Sequence, residues 1–256
     1  INLGLDNDIF CFNVESAAEL EVINELAGAK NKVASVALRI NPEVDAHTHA
    51  YITTGLKENK FGINLSQLDS VLDLFETLKN VKLIGLHFHI GSQITDLTSF
   101  QSLCSRVTEI QENMARRRIL VENLNFGGGL GIDYHHPNHL PIPDFKEYFA
   151  IFHKHMKLRP EQQVHFEPGR SVVGQCGTLI TKVLYVKEGA SKNFAIVDAG
   201  FTELIRPALY QAYHRIENLT SEEAEEVYDV VGPICESSDS FGKSVDLNKV
   251  RRGDLI

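Results

Sequence analysis

At 256 residues, of which 43% are hydrophobic and 23% charged, the chain has enough apolar material to bury a sizeable core. Its formal net charge of −9 includes no basic stripe, which argues against a nucleic-acid partner, and its apolar runs are too short to cross a membrane. Four cysteines at positions 11, 104, 176 and 235 lie far apart, which favours the reduced thiols of a cytoplasmic protein over a disulfide framework or a zinc ribbon.

Five apolar strands alternate with helical patterns through the first two thirds of the chain. We predict the strands at 9–14, 33–40, 81–90, 120–126 and 164–166. Strands that alternate with helices predict a parallel α/β sheet. We therefore expect residues 1–170 to form five β/α units of an incomplete (β/α)8 TIM-type barrel. A complete barrel has about eight strands, so we also expect the chain to be a fragment that lacks the first three.

The pattern changes after residue 170. The segments 177–186, 193–198 and 227–234 are rich in β-forming residues and no longer alternate with long helices. This change predicts part of a second, mostly antiparallel β domain over residues 171–256. We expect the chain to stop in mid-strand at its last residues.

Three of the predicted parallel strands end in small or polar residues. These segments are 86–93 (LHFHIGSQ), 125–131 (NFGGGLG) and 164–170 (VHFEPGR). Barrel enzymes place their chemistry on the loops that follow the strands, so the three segments predict one site. The carboxylate of Glu167, in a tight Pro-Gly turn, is suited to hold a protonated ring nitrogen. An ordinary turn with a surface pair between Glu167 and Arg170 is the alternative.

The glycine triplet Gly127-Gly128-Gly129 offers backbone N–H groups as a cradle for phosphate oxygens. Ser92 could add its hydroxyl to the same phosphate. A plain tight turn is the simpler explanation of a triplet taken alone. A dinucleotide fingerprint is disfavoured, because Ile132 occupies the position of the last glycine in Gly-x-Gly-x-x-Gly.

Paired histidines suggest a different class of site. His87 and His89 are two residues apart on a strand and point to one face, as zinc ligands would, and His47 and His49 could join them. Such a metal-dependent hydrolase would leave the glycine triplet and the Glu-Pro-Gly-Arg turn without a role. We therefore expect no metal, with His87 in the core and His89 stacked on a ring.

Two later segments carry candidate substrate-binding and catalytic groups. Arg206 and Tyr210 lie four apart in a predicted helix with Pro207 at its first position, and an arginine fork beside a phenol suits a carboxylate-bearing substrate. A surface helix is equally compatible with this pattern. Cys235, at a strand end beside Glu236, is a possible proton donor, and a buried inert cysteine is the alternative.

Taken in this order, the motifs resemble the diaminopimelate decarboxylase family, pyridoxal-phosphate enzymes of the alanine-racemase-like barrel class. The segments that match are NVES at 13–16, RINP at 39–42, KFG at 60–62, HIGSQ at 89–93, GGGLG at 127–131, EPGR at 167–170, RPALY at 206–210 and CE at 235–236. They span nearly the whole chain, and the ordered set is more specific than any member.

The resemblance implies a pyridoxal 5′-phosphate cofactor at the three strand ends. His89 is implied to stack on the cofactor ring and Glu167 to pair with its pyridine nitrogen. The residues implied to hold or neighbour the phosphate are Ser92, Gly127, Gly128, Gly129, Gly169 and Arg170.

The resemblance also implies decarboxylation of meso-2,6-diaminopimelate to L-lysine by a cytoplasmic homodimer. Arg170, Arg206 and Tyr210 are implied to grip the distal carboxylate and amine of this amino-acid substrate. Cys235 is implied to protonate the α-carbon and Glu236 to contact the substrate, both in the active site of the partner subunit.

One family feature has no match in the sequence. The Schiff-base lysine of the family lies in a Tyr-Ala-x-Lys-type motif, which the chain does not contain, and Lys60 belongs to a different motif. We therefore expect the chain by itself to be inactive. A related decarboxylase of ornithine, arginine or carboxynorspermidine and a non-catalytic homologue that regulates or binds a partner remain the alternatives.

Overall fold

The computed structural model describes residues 1–44, 60–139 and 142–256. The chain forms two compact units, one made of Ile1–Gly131 and Pro143–Val172, the other of Ile132–Ile142 and Val173–Ile256. Within the described ranges, no helix combines the length and the apolar character needed to cross a bilayer.

The first unit is built on a parallel sheet with the strand order β1-β2-β4-β5-β6, and β3 pairs with β2. Its helices and strands, in chain order, are α1 Asn2–Asp6, β1 Phe12–Val14, α2 Ala17–Ala29, β2 Ala34–Asn41, β3 Ile63–Asn64, α3 Leu68–Thr77, β4 Val81–His87, α4 Thr98–Arg116, β5 Asn123–Asn125, α5 Phe145–His155, β6 Gln163–His165 and α6 Arg170–Val173. The predicted parallel α/β arrangement is confirmed, and β1, β2, β4, β5 and β6 are the five predicted strands.

The core of this unit lies between the sheet and the apolar faces of its helices. Leu86 in β4 and Leu124 in β5 are fully buried, and Leu20 in α2 packs into the same cluster. Helix α2 begins where the hydroxyl of Ser16 accepts a hydrogen bond from the Glu19 amide, which satisfies one of the free N–H groups of the first turn. The helix therefore starts at a position set by local sequence.

A cluster of aromatic rings supports the carboxyl ends of β5 and β6. Phe126 and Phe166 stack with their ring centroids 5.8 Å apart, and Phe152 of α5 lies 4.8 Å from each of them. Such ring pairs add about 0.5–1.5 kcal/mol each beyond the burial of their area. Because Phe126 precedes Gly127 and Phe166 precedes Glu167, this packing fixes the start of both loops.

The second unit contains a mixed sheet with the order β10-β9-β8-β7. Its elements are β7 Val183–Glu188, β8 Asn193–Val197, α7 Arg206–Tyr210, β9 Glu225–Val231 and β10 Ser240–Asn248. The β7–β8 and β9–β10 pairs are antiparallel and the β8–β9 pair is parallel. The mostly antiparallel β domain is confirmed, with one parallel pair.

Two details of the second unit differ from prediction. Strand β10 was missed, because its sequence SFGKSVDLN is largely polar and the ladder contains two register shifts. The first strand begins at Val183, since residues 177–182 take no strand structure apart from a bridge between Lys182 and Leu255. Beside this bridge, where the chain was predicted to stop in mid-strand, Thr181 and Ile256 exchange backbone hydrogen bonds of 2.9 Å.

Candidate active site at the carboxyl edge of the parallel sheet

The three predicted strand-end segments come together at one edge of the parallel sheet. Backbone hydrogen bonds continue past the strand ends, from Phe88 N to Asn125 O at 2.8 Å, from Phe126 N to His165 O at 3.0 Å and from Glu167 N to Gly127 O at 2.7 Å. These bonds hold the loops after β4, β5 and β6 side by side. The three segments therefore lie side by side, and their role as one site stays a prediction.

Glu167 is surrounded by donors from other strands. Its Oε2 accepts a hydrogen bond from His87 Nε2 at 3.1 Å, and its Oε1 accepts bonds from Asn125 Nδ2 at 2.8 Å and Asn13 Nδ2 at 3.5 Å. His87 and Asn125 are the last residues of β4 and β5 and are register partners. The parallel pairing itself therefore delivers both donors to the carboxylate.

These contacts set the charge of the carboxylate. The hydrogen bond from His87 has the largest effect, and together with the bond from Asn125 it lowers the pKa of Glu167 to about 2, against the opposing effect of burial. The group is therefore ionised at neutral pH. Nearly half of its side chain remains exposed, so this charge is available to a cationic partner.

The contact of His87 with Glu167 was not predicted from the sequence. It is buried, as predicted for a core histidine, but it contacts the carboxylate of Glu167 and not apolar side chains alone. Its Nδ1 has no hydrogen-bond partner among the described residues. The position of His87 in the sequence could have indicated this role. His87, Asn125 and Asn13 lie at or near the ends of predicted parallel strands, whose side chains converge on one edge of the sheet.

His89 is a neutral ring in this site. Its Nδ1 accepts a hydrogen bond from Gly128 N at 3.3 Å, so this nitrogen is unprotonated. Burial, with a smaller effect from the positive charge of Arg39, lowers the pKa of His89 to about 4. A neutral imidazole is suited to stack on a flat ring without placing a second positive charge beside it.

The glycine loop packs more tightly than an open cradle. A Cβ on Gly128 would lie 2.2 Å from Glu167 O, and one on Gly127, where φ is +66°, would lie 2.3 Å from Phe88 O. The amide of Gly127 already donates to Asn125 Oδ1 at 2.9 Å and that of Gly128 to His89. The glycines are thus needed for close strand-end packing, and these two amides must exchange partners before they can bind phosphate.

Other candidate phosphate ligands lie together. Arg170 Nη2 donates to Ser92 Oγ at 3.1 Å, which joins the loop after β4 to the turn after β6. The position of a Cβ on Gly169 is open, with nothing within 4 Å. A guanidinium and a hydroxyl beside open space are suited to a phosphate group.

Four predicted site residues belong to the second unit: Arg206, Tyr210, Cys235 and Glu236. Arg206 and Tyr210 form the ends of α7, in which Pro207 is the second residue rather than the first. The guanidinium of Arg206 lies 4.6 Å from the ring centroid of Tyr134, and its Nη1 is 3.0 Å from His214 Nε2.

Cys235 and Glu236 are exposed on a tight turn, so the alternative of a buried cysteine was wrong. Asp239 organises this turn from a buried position: its Oδ1 accepts from Phe201 N at 2.7 Å and its Oδ2 from Ile234 N at 2.8 Å. Asp239 was not predicted from the sequence.

Among the described residues, no group of three or more histidine, cysteine or acidic side chains converges as a metal site, and His87 is engaged with Glu167. His47 and His49 lie outside the described residues.

A model of the family described as pyridoxal-dependent decarboxylase, pyridoxal binding domain, matches residues 1–174. The chain belongs to this family. Among curated pyridoxal-dependent decarboxylases, it is 69% identical to the diaminopimelate decarboxylase of Bacteroides thetaiotaomicron over its full length. It is 44% identical to that of Haemophilus influenzae over 99% of its length. The chain spans 66% and 60% of the lengths of these two relatives.

Solved pyridoxal-dependent decarboxylases share its fold. The diaminopimelate decarboxylase of Helicobacter pylori, in complex with L-lysine, superposes with a TM-score of 0.91 at 36% identity, over 99% of this chain and 63% of that one. The diaminopimelate decarboxylase of M. jannaschii, also in complex with L-lysine, gives a TM-score of 0.85 at 35% identity. The match covers 99% of this chain and 59% of that one. The predicted class, part of an alanine-racemase-like barrel followed by part of a β domain, is confirmed.

The residues at the sheet edge fit the cofactor of the pyridoxal-dependent decarboxylases. Pyridoxal phosphate carries a ring nitrogen that can be protonated, a flat ring and a dianionic phosphate. The ionised Glu167, the neutral His89 and the Arg170–Ser92 pair are complementary to these three features in turn.

Proposed function

We propose that the complete protein catalyses the pyridoxal-phosphate-dependent decarboxylation of meso-2,6-diaminopimelate to L-lysine and CO2. The observation that carries the reaction type is the ionised carboxylate of Glu167, held by three donors beside His89. The choice of substrate is supported by full-length likeness to diaminopimelate decarboxylases and by relatives solved with L-lysine.

Pyridoxal phosphate, when bound, supplies an electron-accepting ring for the electron pair released as the bond from Cα to the carboxylate breaks. In this proposal Glu167 holds a proton at the ring nitrogen. A carboxylate with a pKa of about 2 stays charged and favours the protonated form of a neighbouring base. His87, Asn125 and Asn13 keep that carboxylate aimed at one point.

The other groups at the sheet edge bind and orient. His89 stacks on the ring as a neutral imidazole. Arg170 and Ser92 bind the phosphate, and Gly169 leaves room for it. Gly127, Gly128 and Gly129 bring the β5 loop close enough for their backbone groups to contribute.

Residues of the second unit act on the substrate in this proposal. Arg206 and Tyr210, with Arg170, bind the carboxylate and amine at the end of the substrate that does not react. Cys235 delivers a proton to Cα after CO2 departs, and Glu236 contacts the substrate. We place Cys235 and Glu236 in the partner's active site, within a cytoplasmic homodimer.

The test is a comparison of substrates with the complete protein and pyridoxal phosphate. CO2 release is measured from meso-diaminopimelate, ornithine, arginine and carboxynorspermidine under matched conditions. The proposal expects the highest kcat/KM for meso-diaminopimelate, with L-lysine as the product. A preference for one of the other amino acids would replace the proposed substrate. Cofactor binding without CO2 release from any of them would support a non-catalytic homologue.

A further inference from the structure

The second unit holds Arg206 in a cluster of rings. The segment 132–139, which directly follows the glycine loop in the chain, lies against the residues that follow α7. Tyr134 contacts His214 edge-to-face with centroids 5.2 Å apart, and His135 stacks on Tyr213 at 4.2 Å with an interplanar angle of 13°. The guanidinium of Arg206 lies over the ring of Tyr134, 4.6 Å from its centroid.

Two contacts restrict Arg206 in different directions. The ring face of Tyr134 holds the guanidinium above it, because a cation is attracted to the negative face of an aromatic ring. His214 accepts a hydrogen bond at Nε2 from Arg206 Nη1, at 3.0 Å, and so restricts rotation of the guanidinium. His214 also contacts the ring of Tyr134, so each of the three side chains touches the other two.

A guanidinium fixed in this way can recognise a carboxylate by geometry as well as charge. Two-point binding of a carboxylate requires the N–H groups of arginine to lie in one defined plane. A long side chain that is already ordered loses less conformational entropy when the ligand binds. The contacts with Tyr134 and His214 therefore prepare Arg206 for an anionic group.

We propose that Tyr134 and His214 are positioning residues that hold Arg206 for the second carboxylate of a diamino dicarboxylic acid. This inference rests on the proposed function, which makes that substrate meso-diaminopimelate. Decarboxylation breaks the Cα–carboxylate bond at one end only, releases CO2 and adds a proton at that carbon. The product L-lysine keeps the other carboxylate, and 1,5-diaminopentane is the matched probe that lacks it.

The test uses the complete holoenzyme and substitutions that remove each contact. Tyr134→Leu removes the ring face, and Tyr134→Phe keeps it. His214→Leu removes the acceptor, and His214→Gln supplies an amide oxygen in its place. His139→Leu, at an exposed residue of the same segment, is the matched control.

Both leucine variants at these positions should raise KM for meso-diaminopimelate and Ki for L-lysine by about tenfold, the loss expected when a cation–π contact or a charged hydrogen bond is removed. The kcat, the cofactor absorbance and the Ki for 1,5-diaminopentane should stay within about twofold of the parent values, a change of about 0.4 kcal/mol. Tyr134→Phe, His214→Gln and the control should behave as the parent does. With Arg206→Lys as the background, Tyr134→Leu should add no further loss of lysine affinity, because the contact acts through the guanidinium.

Unchanged lysine affinity in both leucine variants would overturn the proposal. Equal weakening of L-lysine and 1,5-diaminopentane, or loss of the cofactor absorbance, would show a structural role instead. If a leucine variant does not fold, Arg206→Lys tests the proposal instead, because lysine keeps the charge but lacks the planar guanidinium. Unchanged affinity of Arg206→Lys for L-lysine would also overturn the proposal. If the parent releases no CO2 from meso-diaminopimelate, the proposed function fails, while calorimetric binding of the two probes still tests the role of Tyr134 and His214.

Discussion

His87 donates a hydrogen bond from Nε2 to Oε2 of Glu167 at 3.1 Å, across 80 residues of sequence. The donor is the last residue of β4, and the acceptor lies in the turn after β6. The bond is the main cause of the low pKa of Glu167, and it comes from a buried ring while the carboxylate remains half-exposed. His87 therefore stabilises the negative charge of Glu167, which is proposed to face the cofactor. His87 does not itself need to contact the cofactor.

Replacing His87 should weaken catalysis through Glu167. In His87→Leu the carboxylate loses its strongest donor and its pKa should rise. We expect kcat to fall by about 10- to 100-fold, since a hydrogen bond to a charged group contributes roughly 1.5–3 kcal/mol. His87→Gln, which can still donate, should lose less. Steady-state kinetics across pH on the complete protein measure both, and equal losses in the two variants would indicate a packing effect.

Glu167→Ala should cripple turnover while the cofactor stays bound. The substitution removes the group proposed to hold the ring proton but leaves Arg170 and Ser92 for the phosphate. We expect kcat to fall by about 10²–10⁴-fold, the range for a positioned proton-holding group. Glu112→Ala, an exposed residue of α4, is the control. Absorbance reports bound cofactor, and normal turnover in Glu167→Ala would remove the ring-nitrogen assignment.

Acid should destabilise the folded protein in two steps. Folding lowers the pKa of His89 from 6.5 to about 4 and so favours its neutral form, and this stabilisation is lost as pH falls from 6.5 towards 4. Folding lowers the pKa of Glu167 from 4.5 to about 2 and favours its ionised form, and this stabilisation is lost as pH falls from 4.5 towards 2.

Urea unfolding of the complete protein at a series of pH values measures both steps. His89→Gln should remove the upper step and Glu167→Gln the lower one. The same pH dependence in a variant and its parent would mean that the replaced group does not titrate in that window.

Cys235→Ala should slow the reaction more than it weakens binding. The exposed thiol is proposed as the proton donor to Cα, so its loss should lower kcat by about 10²–10⁴-fold. KM should change little, because the thiol is assigned no role in substrate binding. Cys176→Ala, also at an exposed cysteine, is the matched control. An unchanged kcat in Cys235→Ala would refute the donor role.

Gly128→Ala should destabilise the fold as well as the site. Its Cβ would lie 2.2 Å from the carbonyl oxygen of Glu167, so the two loops must separate. We expect a loss of roughly 1–3 kcal/mol in the free energy of unfolding, the usual cost of overpacking. Gly169→Ala, where the added carbon meets nothing within 4 Å, should change stability by less than about 1 kcal/mol. Equal effects would show that close packing is not the reason for Gly128.

The sequence alone determined the type and order of most elements. Apolar strands with intervening amphipathic helices, such as the one with Leu68, Val71 and Leu72 on its buried face, can be read locally because side-chain direction repeats every 2 or 3.6 residues. The ordered motifs also indicated where loops with candidate site residues follow strands. Strand β10 was not predicted, because its bulges and polar residues interrupt the two-residue alternation of apolar side chains.

Tertiary structure alone decided which side chains meet. The pairing of His87 with Glu167 depends on the register of three neighbouring strands, and the contact between Tyr134 and Arg206 joins residues 72 positions apart. The steric need for glycine at Gly128 exists only because the backbone of Glu167 lies against it. Local periodicity says which face a residue occupies, but long-range contacts are fixed by how whole strands align and pack, which no short stretch of sequence encodes.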